Sequence, residues 1–503
     1  MGERPSAAPW SLSVKKHGLR GVVAVLGVVG MCLVAGGQEQ PKRPPRSAPP
    51  KGPALPLPQP AAPGPKGQPG AQPGTQPSSP TAAPKKKDAP RVGPYVKQES
   101  ARDLTLTLAV RVNLDNPRDV IRYTDPFSGR TVDMPRITPM KFNTLQFVFP
   151  VVPSTASSDL FYDEITGKLT VNDLDADPDG PTLLKGYPGP VELTRWDAGS
   201  PDREYECRVV QLDMAVGMRC YSTVYDEAAA MNVGWPKVWP DDVAALLKPQ
   251  LYVEVGVDSA GQIRPYEDRV VTETLARWLN EAGLKDAQSA SPARVAKVIA
   301  GKVWQGIQIS GDGLTMVRSG ELSGMVINPP AMTLENRRGS EQDVTALMAA
   351  LYRKAGLPTR TVIGFDATSK DAKFLQKSGK SNRLRSWVEF ALFDEVNNTI
   401  NWVPVDVARM RKTTNRPPPG DRQWNFFGTH DELNAVTPLA LQFHPPTDVV
   451  AYGYPAFWGW FVTPTPAKNA EQALRFAVTQ TSKRGGEPPK DPKDTERNVP
   501  RKK

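Results

Sequence analysis

Between Arg338 and Phe365 the chain reads RGSEQDVTALMAALYRKAGLPTRTVIGF. Ser340, followed three residues later by Asp343, has the form of a capping box with aspartate standing in for glutamate. Apolar residues then recur at helical spacing. Gly356 supplies a stop and Pro358 prevents continuation, so the pattern predicts a helix over 340–355. TRTVIGF is β-branched and predicts a strand. SWVEFALF and NTINWVPVDV predict two more, joined by the loop EVNN. A glutamate, Glu341, stands at the first position of that helix.

Upstream, RVVTETLARWLNEAGL and PARVAKVIAGKVWQGI space apolar residues by three and four, which predicts two amphipathic helices. Before them, LTLTLAVRVNL alternates apolar and polar residues, and FNTLQFVFPVV, GKLTVNDL, GPVELTRW, YECRVVQLDM and QLYVEVGV continue in that style with Gly, Pro and Asp between. Residues 94–257 therefore read as a β-rich domain, and 258–466 as a second domain of helices followed by strands.

The flanks differ in kind. The chain has 503 residues, 53 of them Pro and 40 Gly, and a formal charge of +10. Residues 1–37 carry +3, 38–91 carry +7 and 480–503 carry +4, which leaves about −4 for 92–479. The basic character thus belongs to the ends, and no folded basic face is offered for specific nucleic-acid binding. Lys15, Lys16 and Arg20 precede an apolar run from Gly21 to Gly37 with small residues Ala35 and Gly37 at its end, the layout of an export signal over 1–37. Residues 18–37 are also long enough to serve as an uncleaved membrane anchor. Residues 38–93 form a Pro-, Gly- and Lys-rich spacer without a three-residue glycine period, and 480–503 a polar basic tail; neither composition can bury a core. The expected location is exported: periplasmic, membrane-anchored or extracellular.

Export shapes the reading of the cysteines. Besides Cys32 there are only Cys207 and Cys220, in strand-like segments bracketing Met-Ala-Val-Gly. In an oxidising compartment this predicts a disulfide across a hairpin, which would contribute roughly 3 kcal/mol. No CxxC or HxxxH spacing is present, so no metal site is expected, and no cofactor.

A helix leading into Ala-Gly-Leu-Pro-Thr-Arg, a strand, a strand with Trp-Val-Glu, then Trp-Val-Pro-Val-Asp: this order resembles the core of the transglutaminase-like superfamily of papain-like cysteine enzymes. The likeness covers roughly 290–464 and implies an α+β fold, a helix packed on an antiparallel sheet. Gly339, Asp343, Trp387, Glu389, Trp402, Pro404 and Asp406 match the family's motifs. In that family the nucleophilic cysteine falls at position 341 and the histidine at 385. Here those positions hold Glu341 and Arg385, and of the three only Asp406 is kept. A carboxylate cannot replace a thiolate in acyl transfer without a matched base, and a guanidinium stays protonated. His430 and His444 fall after the core, and Ser340 reads as the helix cap.

No catalytic residue is expected from this pattern. Glu341, Arg385 and Asp406 retain the charge signs of a thiolate–imidazolium–carboxylate set, and the expectation is a salt-bridged cluster tying helix to sheet. The bland alternative has them pointing into solvent. Trp387 and Trp402 are expected in the core or on the floor of a residual cleft. The function that follows is an exported, non-catalytic binding or scaffolding module of the cell envelope, with an unidentified protein, peptide or cell-wall partner. The alternative is a cysteine-independent hydrolase using Glu341 and Asp406 as paired carboxylates.

Overall fold

The computed structural model describes residues 91–480 except 114–119, 125–128, 136–139, 177–179, 188–190, 251–252, 258–262, 266–267, 312, 317–320, 368–383, 417–418, 443–458 and 464–470. The segment read as an export signal, nearly all of the Pro-rich spacer and all but the first residue of the basic tail lie outside these residues. Among the described residues no helix is long and apolar enough to cross a membrane.

The helix predicted from the capping box forms over Glu341–Lys354. Ser340 Oγ accepts from the Asp343 N–H at 3.1 Å, and Asp343 Oδ2 accepts from the Ser340 N–H at 2.8 Å. At the other end Gly356 takes φ +88°, the left-handed conformation that costs glycine least. Residues Glu341 through Arg353 are all buried. The helices Asp268–Glu281, Pro292–Gly306 and Pro330–Asn336 pack around it, and its remaining face lies on a sheet.

That sheet has five strands in the order Arg91–Val92, Thr399–Val405, Leu384–Asp394, Thr359–Asp366 and Val436–Leu441. All neighbours are antiparallel except the first pair. The three strands read from sequence are its centre, so the architecture is the expected α+β arrangement of helix on antiparallel sheet.

The β-rich part builds two further antiparallel sheets. The larger runs through Leu322–Met325, Glu471–Gln480, Val96–Asn113, Val209–Tyr225 and Ser158–Val171. The smaller orders Thr182–Tyr187, Val191–Gly199, Thr144–Val151 and Gly459–Thr463. Each therefore takes a strand from the C-terminal end of the described chain. Ile363, Phe365, Leu384 and Leu439 of the five-stranded sheet share one core with Leu106, Val110, Phe147, Leu212 and Phe476. The described residues form one compact unit.

The predicted disulfide is absent. Cys207 and Cys220 are both buried thiols, because the residues between them do not turn. Val209–Tyr225 is one strand of 17 residues. At about 3.3 Å per residue it carries Cys220 roughly 35 Å from Val209, whereas a disulfide needs its Cα atoms within about 7 Å. The glycine read as a turn marks a bulge. The pairing with Ser158–Val171 shifts between Val216 and Gly217, and a Cβ on Gly217 would meet the Glu164 carboxyl at 1.9 Å. Cys207 instead pairs with Met140 on a separate short ladder, and Cys220 with Arg102 and Ser158.

Candidate functional site

Asp406 ends the strand Thr399–Val405 and caps the short helix Val407–Thr413, its Oδ1 accepting from the Arg409 N–H at 2.7 Å. Its Oδ2 accepts from Arg385 Nη2 at 2.9 Å. Arg385, on the neighbouring strand, also donates from Nη1 to Glu432 Oε2 at 3.0 Å and to Asp366 Oδ2 at 3.2 Å. Glu432 in turn accepts from Arg409 Nε at 3.1 Å. His430, whose side chain has no exposed surface, places Nε2 3.5 Å from Asp406 Oδ2 and 3.4 Å from Arg385 Nη2. Its Nδ1 has no hydrogen-bond partner among the described residues. Phe426 packs edge-on against the imidazole with ring centres 4.8 Å apart.

These contacts fix the charges. Burial works against ionisation of Asp406, but the bond from His430 and the charge of Arg385 outweigh it and hold the carboxyl well below the usual carboxylate range. Burial likewise opposes the Arg385 cation, while Asp406, Asp366 and Glu432 hold its pKa above the ordinary guanidinium value. Neither group can exchange a proton near neutral pH.

Glu341 stands elsewhere in the pairing. It occupies the first turn of the long helix, where the helix dipole favours a carboxylate, and its charge is answered by Lys412. No bond joins it to Arg385, so the expected three-membered cluster divides into two: Arg385 with Asp406, and Glu341 with Lys412. All three side chains are inside the fold, with Glu341 7 %, Arg385 6 % and Asp406 2 % exposed. The solvent-facing alternative does not hold. Helix and sheet are tied instead by Thr345, whose hydroxyl lies 2.9 Å from Ser386 Oγ and donates to the Glu341 carbonyl at 2.9 Å.

The remaining motif residues are framework. Glu389 is fully buried and takes two bonds from Arg360, Nε at 2.9 Å and Nη2 at 2.7 Å, plus the Trp387 indole N–H at 3.2 Å and the Ala156 backbone N–H at 3.1 Å. The Arg360 guanidinium lies over the Trp402 ring, 4.1 Å from its centre. Trp387 packs among Val152, Val362, Leu433, Val436 and Leu441, in the core rather than on a cleft floor. Gly339 leaves room for the cap: a Cβ there would sit 2.7 Å from Asp343 Cβ. Asp343 also accepts from the Asn328 backbone N–H at 2.7 Å and its amide at 2.9 Å. Among the described residues no group of three or more His, Cys, Asp or Glu is placed to hold a metal ion.

His430 follows the last strand predicted from the sequence, yet the fold returns it to the site. Asn425–Thr429 turns tightly, with Phe426 at φ +66° and Gly428 at φ +73°, and His430 then pairs with Thr223 across two backbone bonds of 3.0 and 2.9 Å. No spacing in the sequence announces that return. Arg409 and Lys412 were legible in principle, since Asp406 followed by VARMRKT is a helix cap with basic residues toward the helix end.

Residues 291–407 match the family model of the transglutaminase-like superfamily, a span that contains Glu341, Arg385 and Asp406. Similar solved structures include a putative cysteine protease from Cytophaga hutchinsonii, 11 % identical, with 78 % of this chain and 94 % of that one covered and a TM-score of 0.42. The periplasmic domain of TgpA from Pseudomonas aeruginosa bound to ethylmercury is 11 % identical, with 63 % and 96 % covered and a TM-score of 0.25. Red sea bream transglutaminase is 16 % identical, with 50 % and 46 % covered and a TM-score of 0.21. No curated protein matches the chain. The chain thus carries a transglutaminase-like domain over 291–407 within a larger α+β unit.

Proposed function

We propose that the chain is an exported, non-catalytic transglutaminase-like module that binds or scaffolds at the cell envelope. The observation that carries this reading is the arginine at 385. Where the superfamily places its histidine, a permanently charged guanidinium is bonded to three carboxylates. A general base must release and accept a proton, and this group cannot. The thiols in the described residues offer no substitute nucleophile: burial first, then the nearby Asp159 and Asp103 charges, push Cys220 up to about 12, and Cys207 is fully buried. The paired-carboxylate hydrolase is disfavoured on the same ground. Such chemistry needs one carboxyl protonated near neutral pH, and Asp406 is held ionised while Glu341 is engaged by Lys412. The n-region and apolar run at 15–37 support export.

The test is an amidase and transamidation assay on the full-length protein beside the double variant Glu341→Cys with Arg385→His, each with a thermal melt to establish folding. The wild type should be silent, and thiol-blocker-sensitive activity in a folded double variant would show that the cleft outlived its chemistry. Wild-type turnover lost in Asp406→Asn would overturn the proposal and restore the hydrolase reading.

A further inference from the structure

The turn that joins the strands Leu384–Asp394 and Thr399–Val405 reads Glu395-Val396-Asn397-Asn398, and Thr399 follows it. Asn397-Asn398-Thr399 is an Asn-x-Thr triplet, and no other Asn-x-Thr or Asn-x-Ser occurs in the 503 residues. The turn stands in solvent: Val396 is 93 % exposed, and Asn397 is exposed beside it. It shares no residue with the Arg385–Asp406 network or with Glu341.

Turn chemistry accounts for the two asparagines. Asp394 accepts from the Val396 N–H at 3.0 Å, the Asn397 N–H at 3.2 Å and the Asn397 amide at 2.7 Å, which closes the turn. Asn398 takes φ +48°, a left-handed conformation that asparagine tolerates better than most residues. Thr399 is different. Its backbone is paired on both sides, with Asp394 in the neighbouring strand and with Arg91 at the sheet edge. Its Oγ1 is buried and has no hydrogen-bond partner among the described residues. Gly93 lies so close over it that a Cβ there would come within 2.9 Å of the hydroxyl. A buried hydroxyl without a partner destabilises a fold. Valine has the same branched shape without that penalty, so the folded chain gains nothing from this hydroxyl.

The hydroxyl is within reach of another molecule only before the hairpin closes. Asn-x-Thr is the acceptor pattern for transfer of an oligosaccharide to an asparagine amide in exported chains. We propose that Asn397 is such a modification site, glycosylated as the chain leaves the membrane and before Thr399 is sealed into the sheet; this rests on the export reading above. The donor class is a lipid-linked oligosaccharyl diphosphate. The bond from its anomeric carbon to the phosphate oxygen breaks and a C–N bond to Asn397 Nδ2 forms. The diphospholipid leaves, and one amide proton passes to solvent. Nδ2 keeps its other hydrogen for Asp394, so the turn can close after modification, and its exposure leaves the sugar in solvent.

The test is mass spectrometry of the full-length protein recovered from the cells that make it, with envelope and cytoplasmic fractions kept apart. The envelope form should be heavier than Asn397→Gln by one discrete glycan, carried on the proteolytic peptide that contains residue 397. Thr399→Val should lose the glycan while its thermal midpoint stays level with the wild type or rises, and Thr399→Ser should keep the glycan. With an oligosaccharyltransferase and its lipid-linked donor in vitro, the unfolded peptide 393–403 should be modified and the folded, unglycosylated protein should not. An unmodified mass in the envelope fraction, a glycan that persists in Thr399→Val, a Thr399→Val protein that melts well below the wild type, or equal modification of peptide and folded protein would overturn the proposal and leave export in place. Confinement of the chain to the cytoplasmic fraction would overturn the export reading and the proposal with it.

Discussion

Replacing Arg385 by methionine keeps the bulk of the side chain and removes its charge, leaving Asp406 buried with only His430 and one backbone N–H as partners. Breaking a buried pair by deleting one member costs about 3–5 kcal/mol, and urea unfolding of Arg385→Met should show a loss of that size. Asp406 also sets an acid limb. Its carboxyl titrates lower in the fold than in the unfolded chain, where it sits near 3.9. The ionised form therefore stabilises the fold at every pH above about 4, and that contribution is lost as pH falls through the depressed folded value. Asp406→Asn should be less stable at neutral pH and lose less stability between about pH 4 and 2; parallel acid limbs in the two proteins would refute this. The sequence made the identity of these residues plain and their pairing obscure. Motif register located positions 341, 385 and 406, but the partners Lys412, Glu432 and His430 arrive from later turns whose path no local pattern encodes. Gln342, fully buried with neither amide atom bonded among the described residues, was equally invisible. Replacing it by methionine removes two polar atoms that burial penalises, and should raise stability by about 1–2 kcal/mol in the same urea measurement.

The long helix Glu341–Lys354 was legible because both of its ends are written in local chemistry: the Ser340–Asp343 box at one and Gly356 with Pro358 at the other. The capping residues are unequal in what they hold. Ser340→Ala removes one acceptor for the Asp343 N–H and should cost about 1 kcal/mol. Asp343→Ala removes the acceptor for the Ser340 N–H, the Asn328 N–H and the Asn328 amide together, and should cost about 2–3 kcal/mol. Chemical denaturation of the two variants should place Asp343→Ala below Ser340→Ala; the reverse order would mean that the loop at Asn328 is not anchored through this carboxylate. The strand Val209–Tyr225 shows where local chemistry misleads. Its Gly217 carries the same turn signal as any glycine between apolar runs. Only its neighbour Ser158–Val171, with Glu164 pressed against the missing Cβ, turns that signal into a bulge.

At the scale of the whole molecule, the β-rich and helix-bearing parts of the sequence are interleaved. Glu389, buried in the five-stranded sheet, binds the backbone N–H of Ala156 beside the larger of the two other sheets, and side chains from both sheets fill a common core. The strand Glu471–Gln480 then lies between Val96–Asn113 and Leu322–Met325, in register from Leu104↔Gln480 to Asn113↔Glu471. A strand in that position has both edges paired, so its removal strands backbone donors and acceptors on two neighbours and opens the space of Leu474 and Phe476, both fully buried. Ending the chain at residue 466 should therefore not yield a shorter protein with a frayed edge. The expected outcome is loss of cooperative thermal unfolding for the entire unit, including the transglutaminase-like segment 291–407 that the deletion leaves intact. Calorimetry of the truncated chain decides the matter. A surviving transition of unchanged midpoint would mean that the segment folds without its sheet partners, whereas its disappearance would show that the exposed edge of Val96–Asn113 is carried through the shared core to the site helix.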